Sequence, residues 1–414
     1  PGGGDQQGTG RVGGDGVMAK LGDVFPLVRN GASIRQTDGA SGIPITRIET
    51  ISNREIDRNK FGYADITDSS KYKDYILQDG DILMSHINSE KHLGKVALYR
   101  KQGNEQIIHG MNLLMLRANP LDVFPPYATH FFETPTFLMQ IQKITKKSVN
   151  QASFTVTALK EIKIPLPSLD EQRRIAAVLD KVSGLIAKRR AQLAKLDELV
   201  KVRFVEMFGD PVSNPKGWNI IRLSELGDCK NGMNFHTDDS GVEIHCLGVG
   251  DFKNLSSISD TAKLPIITLN EMPTNDYLLK NGDIVFVRSN GNKALVGRSV
   301  IVYPDDTPTT FSGFCIRFRI QNPIILPQYL LSVLKTASMR KQMTGRGANI
   351  QNLNQKILSE LKIPVSPLPY QEEYIDFTIK IDKSKLTIQQ SLDKLEVLKK
   401  ALMQQYFGRG NDNG

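Results

Sequence analysis

The stretch LKEIKIPLPSLDEQ at residues 159–172 recurs as LSELKIPVSPLPYQ at residues 358–371. Beyond this pair the two copies stay aligned without a gap as far as Phe208-Gly209 and Phe407-Gly408, at a constant offset of 199 residues, the distance from Leu159 to Leu358. A repeat of about 200 residues is too long for a solenoid, whose repeats are roughly 20–50 residues. The pattern predicts two copies of one unit, each a globular domain followed by a long helix.

Length and composition are those of a globular protein of two or three domains, with 414 residues and a hydrophobic content of 40%. No run approaches the ~18 apolar residues of a membrane span, and no apolar stretch near the N-terminus resembles a secretory signal. The three cysteines, Cys229, Cys246 and Cys315, form no CxxC pair, so ordinary buried thiols are expected in place of disulfides or zinc. We therefore expect a cytoplasmic protein.

The chain is basic, with 53 Lys and Arg against 44 Asp and Glu and a formal net charge of +9. This balance suggests a polyanionic partner such as nucleic acid, although many basic proteins bind none.

Residues 18–167 are predicted to form a mixed α/β domain. The apolar runs 81–84 and 113–116 indicate strands, and Asn30-Gly31, Asp38-Gly39 and Asp79-Gly80 indicate turns. Helical spacing predicts a helix from Tyr127 to Ile144.

Residues 218–366 repeat this framework loosely. Gly-Asp-Ile occurs at residues 80–82 and 282–284, and Gly94-Lys95 matches Gly297-Arg298. Since the alignment needs small gaps here, we expect two domains with one scaffold and different loops. Loops on a shared scaffold are where binding differences are expected. Residues 1–17 and 409–414 are predicted to be polar tails, and residues 210–217, with two prolines, a short linker.

Two long helices are predicted at residues 168–209 and 367–408. Apolar residues recur at alternating spacings of three and four, which is typical of a coiled coil. The simplest partner for each helix is the other, paired antiparallel, so the predicted fold class is α+β, with two similar mixed α/β domains and an antiparallel coiled coil. The predicted seam consists of Ile175, Leu179, Val182, Ile186, Leu193, Leu196, Ile381, Ile388, Leu392, Leu395 and Leu402.

An alternative is that each helix packs only on its own domain, although a helix of about 55 Å (at ~1.5 Å per residue) would overhang it. Further apolar residues off the seam, including Leu185, Leu199 and Leu386, leave two explanations open. They could receive a partner in a larger bundle, or they could pack on this chain's own domains.

Catalytic motifs are missing from the sequence. The Asn-Pro pairs at 119–120 and 322–323 lack the second proline and the aromatic residue of an amino-methyltransferase site. The glycines from Gly291 to Gly297 do not have the spacing of a phosphate-binding loop, and the six histidines form no metal-binding pattern. We interpret the chain as a binding protein and not an enzyme.

The chain resembles the specificity subunits of Type I restriction-modification enzymes over residues 18–408. The resemblance is carried by residues 159–172 and their copy, by Met207-Phe208-Gly209-Asp210-Pro211, and by the Gly-Asp-Ile strand of each domain. The second copy departs at Pro369-Tyr370, where the first has Asp170-Glu171, but its glutamine is retained.

The resemblance implies two target-recognition domains that each read one half of a bipartite, asymmetric site in double-stranded DNA. It further implies that two adenine methyltransferase subunits dock on the helices and that restriction or translocase subunits can join. The chain itself would be non-catalytic and hold no cofactor, since S-adenosylmethionine would be bound by the methyltransferase. No membrane partner is implied.

Residues for DNA contact are predicted in two polar, basic segments of each domain, because Lys and Arg bind phosphates and Arg, Asn, Gln and Lys read base edges. One segment follows the Gly-Asp-Ile strand and the other precedes the repeated stretch. In the first domain the predicted residues are His86, Asn88, Lys91, Lys95, Lys143, Lys146, Lys147, Asn150 and Gln151; in the second they are Arg288, Ser289, Asn290, Asn292, Lys293, Arg298, Arg340, Lys341, Arg346, Asn349 and Gln351.

Any one of these residues could instead belong to a solvated basic surface. The main functional alternative is a stand-alone two-domain DNA-binding protein, such as a repressor, that needs no methyltransferase.

Overall fold

The computed structural model describes residues 17–37, 39, 41–51, 54–148, 151–235, 239–252, 256–344 and 352–408. The chain divides into two compact units. Unit 1 comprises residues up to 190 together with those from 390 onwards, and unit 2 comprises residues 191–389. Each unit therefore takes its helical part from both copies of the repeat.

The first domain and the helix that follows it contain nine strands and five α-helices among the described residues. The strands are β1 (Val17–Lys20), β2 (Leu27–Asn30), β3 (Ile82–Ser85), β4 (Ile87–Asn88), β5 (Val96–Leu98), β6 (Leu113–Arg117), β7 (Lys146–Lys147), β8 (Ala152–Ser153) and β9 (Lys163–Leu166). The helices are α1 (Leu21–Val24), α2 (Pro125–Phe131), α3 (Pro135–Ile144), α4 (Val156–Lys160) and α5 (Leu169–Phe208).

The second domain and its helix follow the same plan. The strands are β10 (Asn219–Arg222), β11 (Gly227–Asn231), β12 (Val242–Leu247), β13 (Ser257–Ile258), β14 (Ile266–Leu269), β15 (Asp283–Val287), β16 (Ser299–Val302), β17 (Thr309–Phe311), β18 (Cys315–Ile320) and β19 (Lys362–Val365). The helices are α6 (Leu223–Leu226), α7 (Pro327–Lys335), α8 (Ala337–Thr344), α9 (Gln355–Ser359) and α10 (Leu368–Phe407).

The main sheet of each domain is buried on both faces. In unit 1 its order is β2-β6-β3-β5, with every pair antiparallel. Leu114 and Leu116 of β6 pack into one core and Leu113 and Met115 into another. Strand side chains alternate between faces, so this strand has an uninterrupted apolar run. The five-stranded sheet of unit 2, β11-β18-β15-β16-β13, separates two cores in the same way.

The repeated Gly-Asp-Ile begins the central strand with a buried ion pair. Asp81 is 1% exposed and accepts two hydrogen bonds from Arg117 of β6, both 2.7 Å long. Gly80 has φ +91°, a conformation that glycine adopts without strain. In unit 2, Asp283 accepts bonds of 2.9 and 2.7 Å from Arg319. A bidentate guanidinium compensates the cost of burying the carboxylate.

The glutamine of the repeated stretch fixes the start of each long helix. Gln172 is fully buried, and its Oε1 accepts the Phe124 N–H while its Nε2 donates to the carbonyl oxygens of Asp122 and Pro167, each at 2.9 Å. Gln371 makes the same three bonds in unit 2, at 2.7–2.9 Å. All three side-chain bonds go to the backbone, so this side chain holds the loop before the domain helix against the long helix.

The Lys-Ile-Pro of each repeat forms a short edge strand. β9 pairs antiparallel with β1, and β19 pairs with β10. The hydroxyl of Tyr127 donates to the Pro165 carbonyl at 2.8 Å, and Tyr329 donates to Pro364 at 2.7 Å. β1 begins at Val17, the last residue of the predicted N-terminal tail.

The two long helices run antiparallel within each unit. In unit 1, Arg174 of α5 lies over the ring of Tyr406 and Arg190 pairs with Glu396 at 2.7 Å. In unit 2, Asp197 pairs with Lys385 at 2.6 Å and Arg203 with Glu373 at 2.7 Å. As the residue number on α5 increases, the number of its partner on α10 decreases, which is the pattern of an antiparallel pair. The predicted α+β fold class with an antiparallel coiled coil is thereby confirmed.

The predicted seam is shielded from solvent along both helices. Four of its residues on α5 and one on α10 are buried, and the rest are half-buried; the buried ones are Ile175, Leu179, Val182, Ile186 and Leu392, and the half-buried ones are Leu193, Leu196, Ile381, Ile388, Leu395 and Leu402. Ile175 and Leu179 also join the core of the first domain. The helix therefore packs on its own domain and on the other helix at once.

Each long helix begins in the unit that contains its own domain and ends in the core of the other unit. Phe407 packs on Tyr127 and Phe131 in unit 1, with ring centroids 5.2 and 5.9 Å apart. Phe208 packs on Tyr329 and Tyr374 in unit 2, at 4.8 and 5.5 Å. In each repeated Phe-Gly pair, the phenylalanine is therefore a core residue and the glycine follows the last residue of the helix.

One predicted helix is wrong in its extent. The segment from Tyr127 to Ile144 forms two helices, α2 and α3, and not one. Pro135 is the first residue of α3, and its ring and missing N–H prevent the preceding helix from continuing through it. The Thr134 hydroxyl accepts the Phe137 N–H and caps the new helix.

None of the described helices combines the length and apolar character needed to cross a membrane. The three cysteines are free, and burial raises the pKa of Cys229 and Cys246 to about 12.

Candidate nucleic-acid interface

The two basic segments predicted in the first domain are brought together in one small sheet. β4, which follows the Gly-Asp-Ile strand, pairs with β8, and β8 pairs with β7. Ile87 lies opposite Ser153, which lies opposite Lys146. Two segments that are far apart in sequence therefore form one continuous surface.

Most predicted residues of this surface are accessible. Lys91, Lys143, Lys146, Lys147 and Gln151 are exposed, and Asn88 and Lys95 are half-buried. Lys147 pairs with Glu90 at 2.9 Å, but the two side chains are 68% and 50% exposed. Such an exposed pair is weak and leaves the lysine available to a phosphate.

His86 lies beneath this surface and not on it. It is 7% exposed, and its ring meets Phe154 edge to face at a centroid distance of 6.3 Å. Burial lowers the pKa of His86 to about 4, so the ring is neutral at neutral pH. The sequence predicted a DNA-contacting side chain at this position, and the burial of the ring does not favour that role.

The corresponding surface of the second domain follows β15. Ser289 bridges to Asn352, and the Leu353 N–H donates to the Arg288 carbonyl at 2.8 Å. The loop is ordered by its own amides, since Asn290 Oδ1 accepts the Asn292 N–H and Asn292 Oδ1 accepts the Ala294 N–H. Arg288 is half-buried and its Nη1 donates to the Gly313 carbonyl at 3.3 Å.

Two arginines of the second domain lie close enough to repel each other. Arg340 is half-buried and donates to the Ala294 carbonyl at 3.3 Å. Burial, together with the charge of Arg298, lowers the pKa of Arg340. Two neighbouring positive charges favour an anion, and DNA phosphates would supply one. Lys341, one residue further along α8, is exposed.

Several predicted residues cannot be placed. Asn150, Arg346, Asn349 and Gln351 lie outside the described residues, as does the side chain of Lys293.

Comparison with known families shows which protein family has this pair of domains. The family model described as the Type I restriction modification DNA specificity domain matches twice, over residues 15–197 and 215–399. The chain belongs to this family. The two matches cover each domain and most of the long helix that follows it, so the internal repeat is a repeat of the specificity domain.

Relatives of the family extend over nearly the whole chain. A Methanocaldococcus jannaschii protein, assigned as the specificity subunit of the type I restriction enzyme MjaX, is 29% identical over 94% of this chain and 92% of its own length. The S subunit of the Type I system of M. genitalium matches with a TM-score of 0.56 at 16% identity, over 94% of this chain and 96% of its own. A chain solved in a study of complex assembly and conformational transition of the type I system matches with a TM-score of 0.56 at 17% identity, over 97% of this chain and all of its own.

Membership in the DNA-specificity family makes DNA recognition the role of these domains. A cleft in unit 1 lies apart from the predicted surfaces. It has a volume of about 1090 Å³ and lies between the first domain and the helices. Several side chains that line it interact within the chain: His130 with Asp180 at 2.8 Å, Lys399 with Glu133 at 3.3 Å, and Arg190 with Glu396. The first two pairs connect the first domain to α5 and to α10, and the third connects the two helices.

Proposed function

We propose that this chain is the specificity subunit of a Type I restriction-modification enzyme in which each domain reads one half of a bipartite, asymmetric DNA site. The observation that carries the proposal is a shared scaffold with different reading loops. Asp81–Arg117 and Asp283–Arg319 are the same ion pair, and Gln172 and Gln371 make the same hydrogen bonds.

The loops on this scaffold differ at matching positions. The residue after the Gly-Asp-Ile strand is a buried histidine, His86, in the first domain and a half-buried arginine, Arg288, in the second. The next two residues are Ile87-Asn88 and Ser289-Asn290. Domains with different side chains at the reading positions read different base sequences, whereas two identical domains would read a symmetric site.

The proposal gives the long helices a second role as the docking surface for two adenine methyltransferase subunits. Both helices expose large apolar side chains that neither the seam nor the domains cover: Leu185, Leu199, Val202 and Val205 on α5, and Ile379, Leu386, Val397 and Leu398 on α10. Leu199 and Leu398 are equivalent in the repeat and are 44% and 45% exposed. Exposed apolar residues in this number are typical of protein interfaces.

Catalysis would then reside in the partners. The methyltransferase subunits would bind S-adenosylmethionine, this chain would supply sequence recognition alone, and restriction or translocase subunits could complete the enzyme. The relative solved in a study of complex assembly of the type I system supports a multisubunit setting.

The proposal is tested by long-read methylome sequencing of a methylation-free bacterial host. One strain expresses this chain with the methyltransferase encoded beside it, and the control strain expresses the methyltransferase alone. We expect modified adenines in a split, non-palindromic motif with a fixed gap, in the first strain only. If both proteins are soluble and no new modification appears, the stand-alone DNA-binding alternative is favoured.

A further inference from the structure

We propose that Phe314 is a specificity-determining residue of the second domain, whose ring makes an apolar contact with a DNA base. This inference rests on the proposed function and assigns a role to a residue outside the basic segments. Phe314 is 62% exposed and is the most exposed phenylalanine among the described residues. An outward phenylalanine needs its own explanation, because this residue type is mostly buried in protein cores.

 

By contrast, eight other phenylalanines are fully buried in the cores of the two units: Phe25, Phe131, Phe132, Phe137, Phe208, Phe286, Phe311 and Phe318.

The backbone that carries Phe314 is held firmly while its ring points outward. Phe314 lies in a tight turn between β17 and β18, closed by a 2.8 Å bond from the Cys315 N–H to the Ser312 carbonyl. Gly313 donates to the Met233 carbonyl at 2.6 Å, and Asn234 occupies the space that a side chain at Gly313 would need. A ring on a rigid turn loses little conformational freedom on binding.

The turn adjoins the first basic segment of the second domain. The Arg288 N–H donates to the Phe314 carbonyl at 2.8 Å, and the Arg288 side chain donates to the Gly313 carbonyl. The turn that carries the exposed ring therefore adjoins the residue that opens the predicted reading loop. A cationic side chain beside an exposed aromatic ring fits DNA, because the cation meets phosphate or a base edge while the ring meets the apolar part of a base.

The equivalent turn of the first domain also exposes an apolar side chain, but one residue earlier. Met111 is 45% exposed, and its N–H donates to the Ala32 carbonyl as that of Gly313 does to Met233, so Asn112 stands at the position of Phe314. Phenylalanine and methionine both occur as apolar wedges at kinked base steps, and phenylalanine also packs against the methyl group of thymine. An apolar side chain at a different position of the turn in each domain agrees with two different half-sites.

The experiment uses the full chain in complex with its methyltransferase, and a duplex that carries the motif found in the methylome. Fluorescence anisotropy would compare Phe314→Ala with the wild type, with Phe314→Tyr, and with Ile266→Ala as a matched control. Ile266 is a 58% exposed residue on β14, at the opposite edge of the β14-β12-β17 sheet from the strand that leads into the turn. Thermal unfolding would establish that all the variants are folded.

We expect Phe314→Ala to weaken binding to the cognate duplex between about 5-fold and 100-fold, the usual range for loss of one base–aromatic contact. Phe314→Tyr should bind within about 2-fold of the wild type because it retains the ring. The slope of affinity against salt should not change, since no phosphate contact is removed. The inference is overturned if Phe314→Ala binds the cognate duplex as tightly as Ile266→Ala does, or if it weakens cognate and unrelated duplexes equally. If the wild type yields no bipartite motif, the proposed function fails, and this inference fails with it.

Discussion

Replacing Gln172 by alanine should loosen the junction between the first domain and α5 without changing its surface. The side chain is fully buried and makes three hydrogen bonds of 2.9 Å to backbone groups. Each such bond contributes about 0.5–1.5 kcal/mol net, and a buried group left unpaired costs more. The three partners are only partly buried and can regain some water, so we expect a loss of about 2–4 kcal/mol.

Hydrogen–deuterium exchange read by mass spectrometry would measure this loss locally. The Phe124 amide loses its acceptor in the variant, so peptides spanning residues 120–130 and 165–175 should exchange about 30-fold to 1000-fold faster, which is the stated free energy converted at ~1.4 kcal/mol per decade. Gln371→Ala should produce the same change in unit 2 alone.

Gln142→Ala is the matched control, because Gln142 is exposed on α3 and a surface change of this kind is worth about 0.5 kcal/mol or less. If Gln172→Ala exchanges no faster than this control, the glutamine does not hold the domain to the helix and our explanation of its repetition is wrong.

Three further predictions concern the helix ends, acid stability and the DNA surface. Phe407→Ala, at a position 4% exposed, should destabilise unit 1 by about 3–5 kcal/mol, seen as a lower Tm in calorimetry, whereas truncation of the exposed Leu398 to alanine should not. Hydrogen bonds from Arg58 lower the pKa of Glu105 from 4.5 to about 2, so the stability from this pair is present above pH 4.5 and is lost as the pH falls towards 2. Glu105→Gln should therefore make the Tm less sensitive to pH between 4.5 and 2. If the Tm of the variant depends on pH as that of the wild type does, the Arg58–Glu105 pair does not stabilise the fold in this way. Arg288→Ala should weaken DNA binding and reduce the slope of log affinity against log salt by about 1, while Lys394→Ala, on the exposed side of α10, should leave both unchanged in a titration.

Features that depend on one element's own residues could be predicted from the sequence. The seam of the long helices was visible because burial on one side of a helix leaves a periodic pattern, and residues such as Leu179 and Leu392 are buried as that pattern requires. The strand after Gly80 was visible because burial on both faces leaves a continuous apolar run. The break at Pro135 is marked by the proline itself, but helical spacing continues on both sides of it and favours a single helix.

Features that depend on distant partners could not be predicted. Nothing in the sequence pairs Asp81 with Arg117 or places Phe407 on Tyr127. The spacing of apolar residues along the chain indicates which side chains are buried, but it does not identify the residues that they contact. His86 illustrates the same limit for the site, since its ring packs against Phe154, which follows the second basic segment. Phe314 gave no signal, because one aromatic residue in a turn is ordinary until its exposure is known.

The most direct test of the account is a comparison of methylomes from paired loop variants, one in each domain, expressed with the methyltransferase in a methylation-free host. The first variant would carry Lys146→Ala and Gln151→Ala, and the second Arg288→Ala and Asn292→Ala. If each domain reads one half-site, each variant should relax or lose sequence preference in one half of the motif only, in different halves, with the gap length unchanged. Changes in both halves from a single variant, or a change in the gap, would contradict the claim that two independent reading domains share one scaffold.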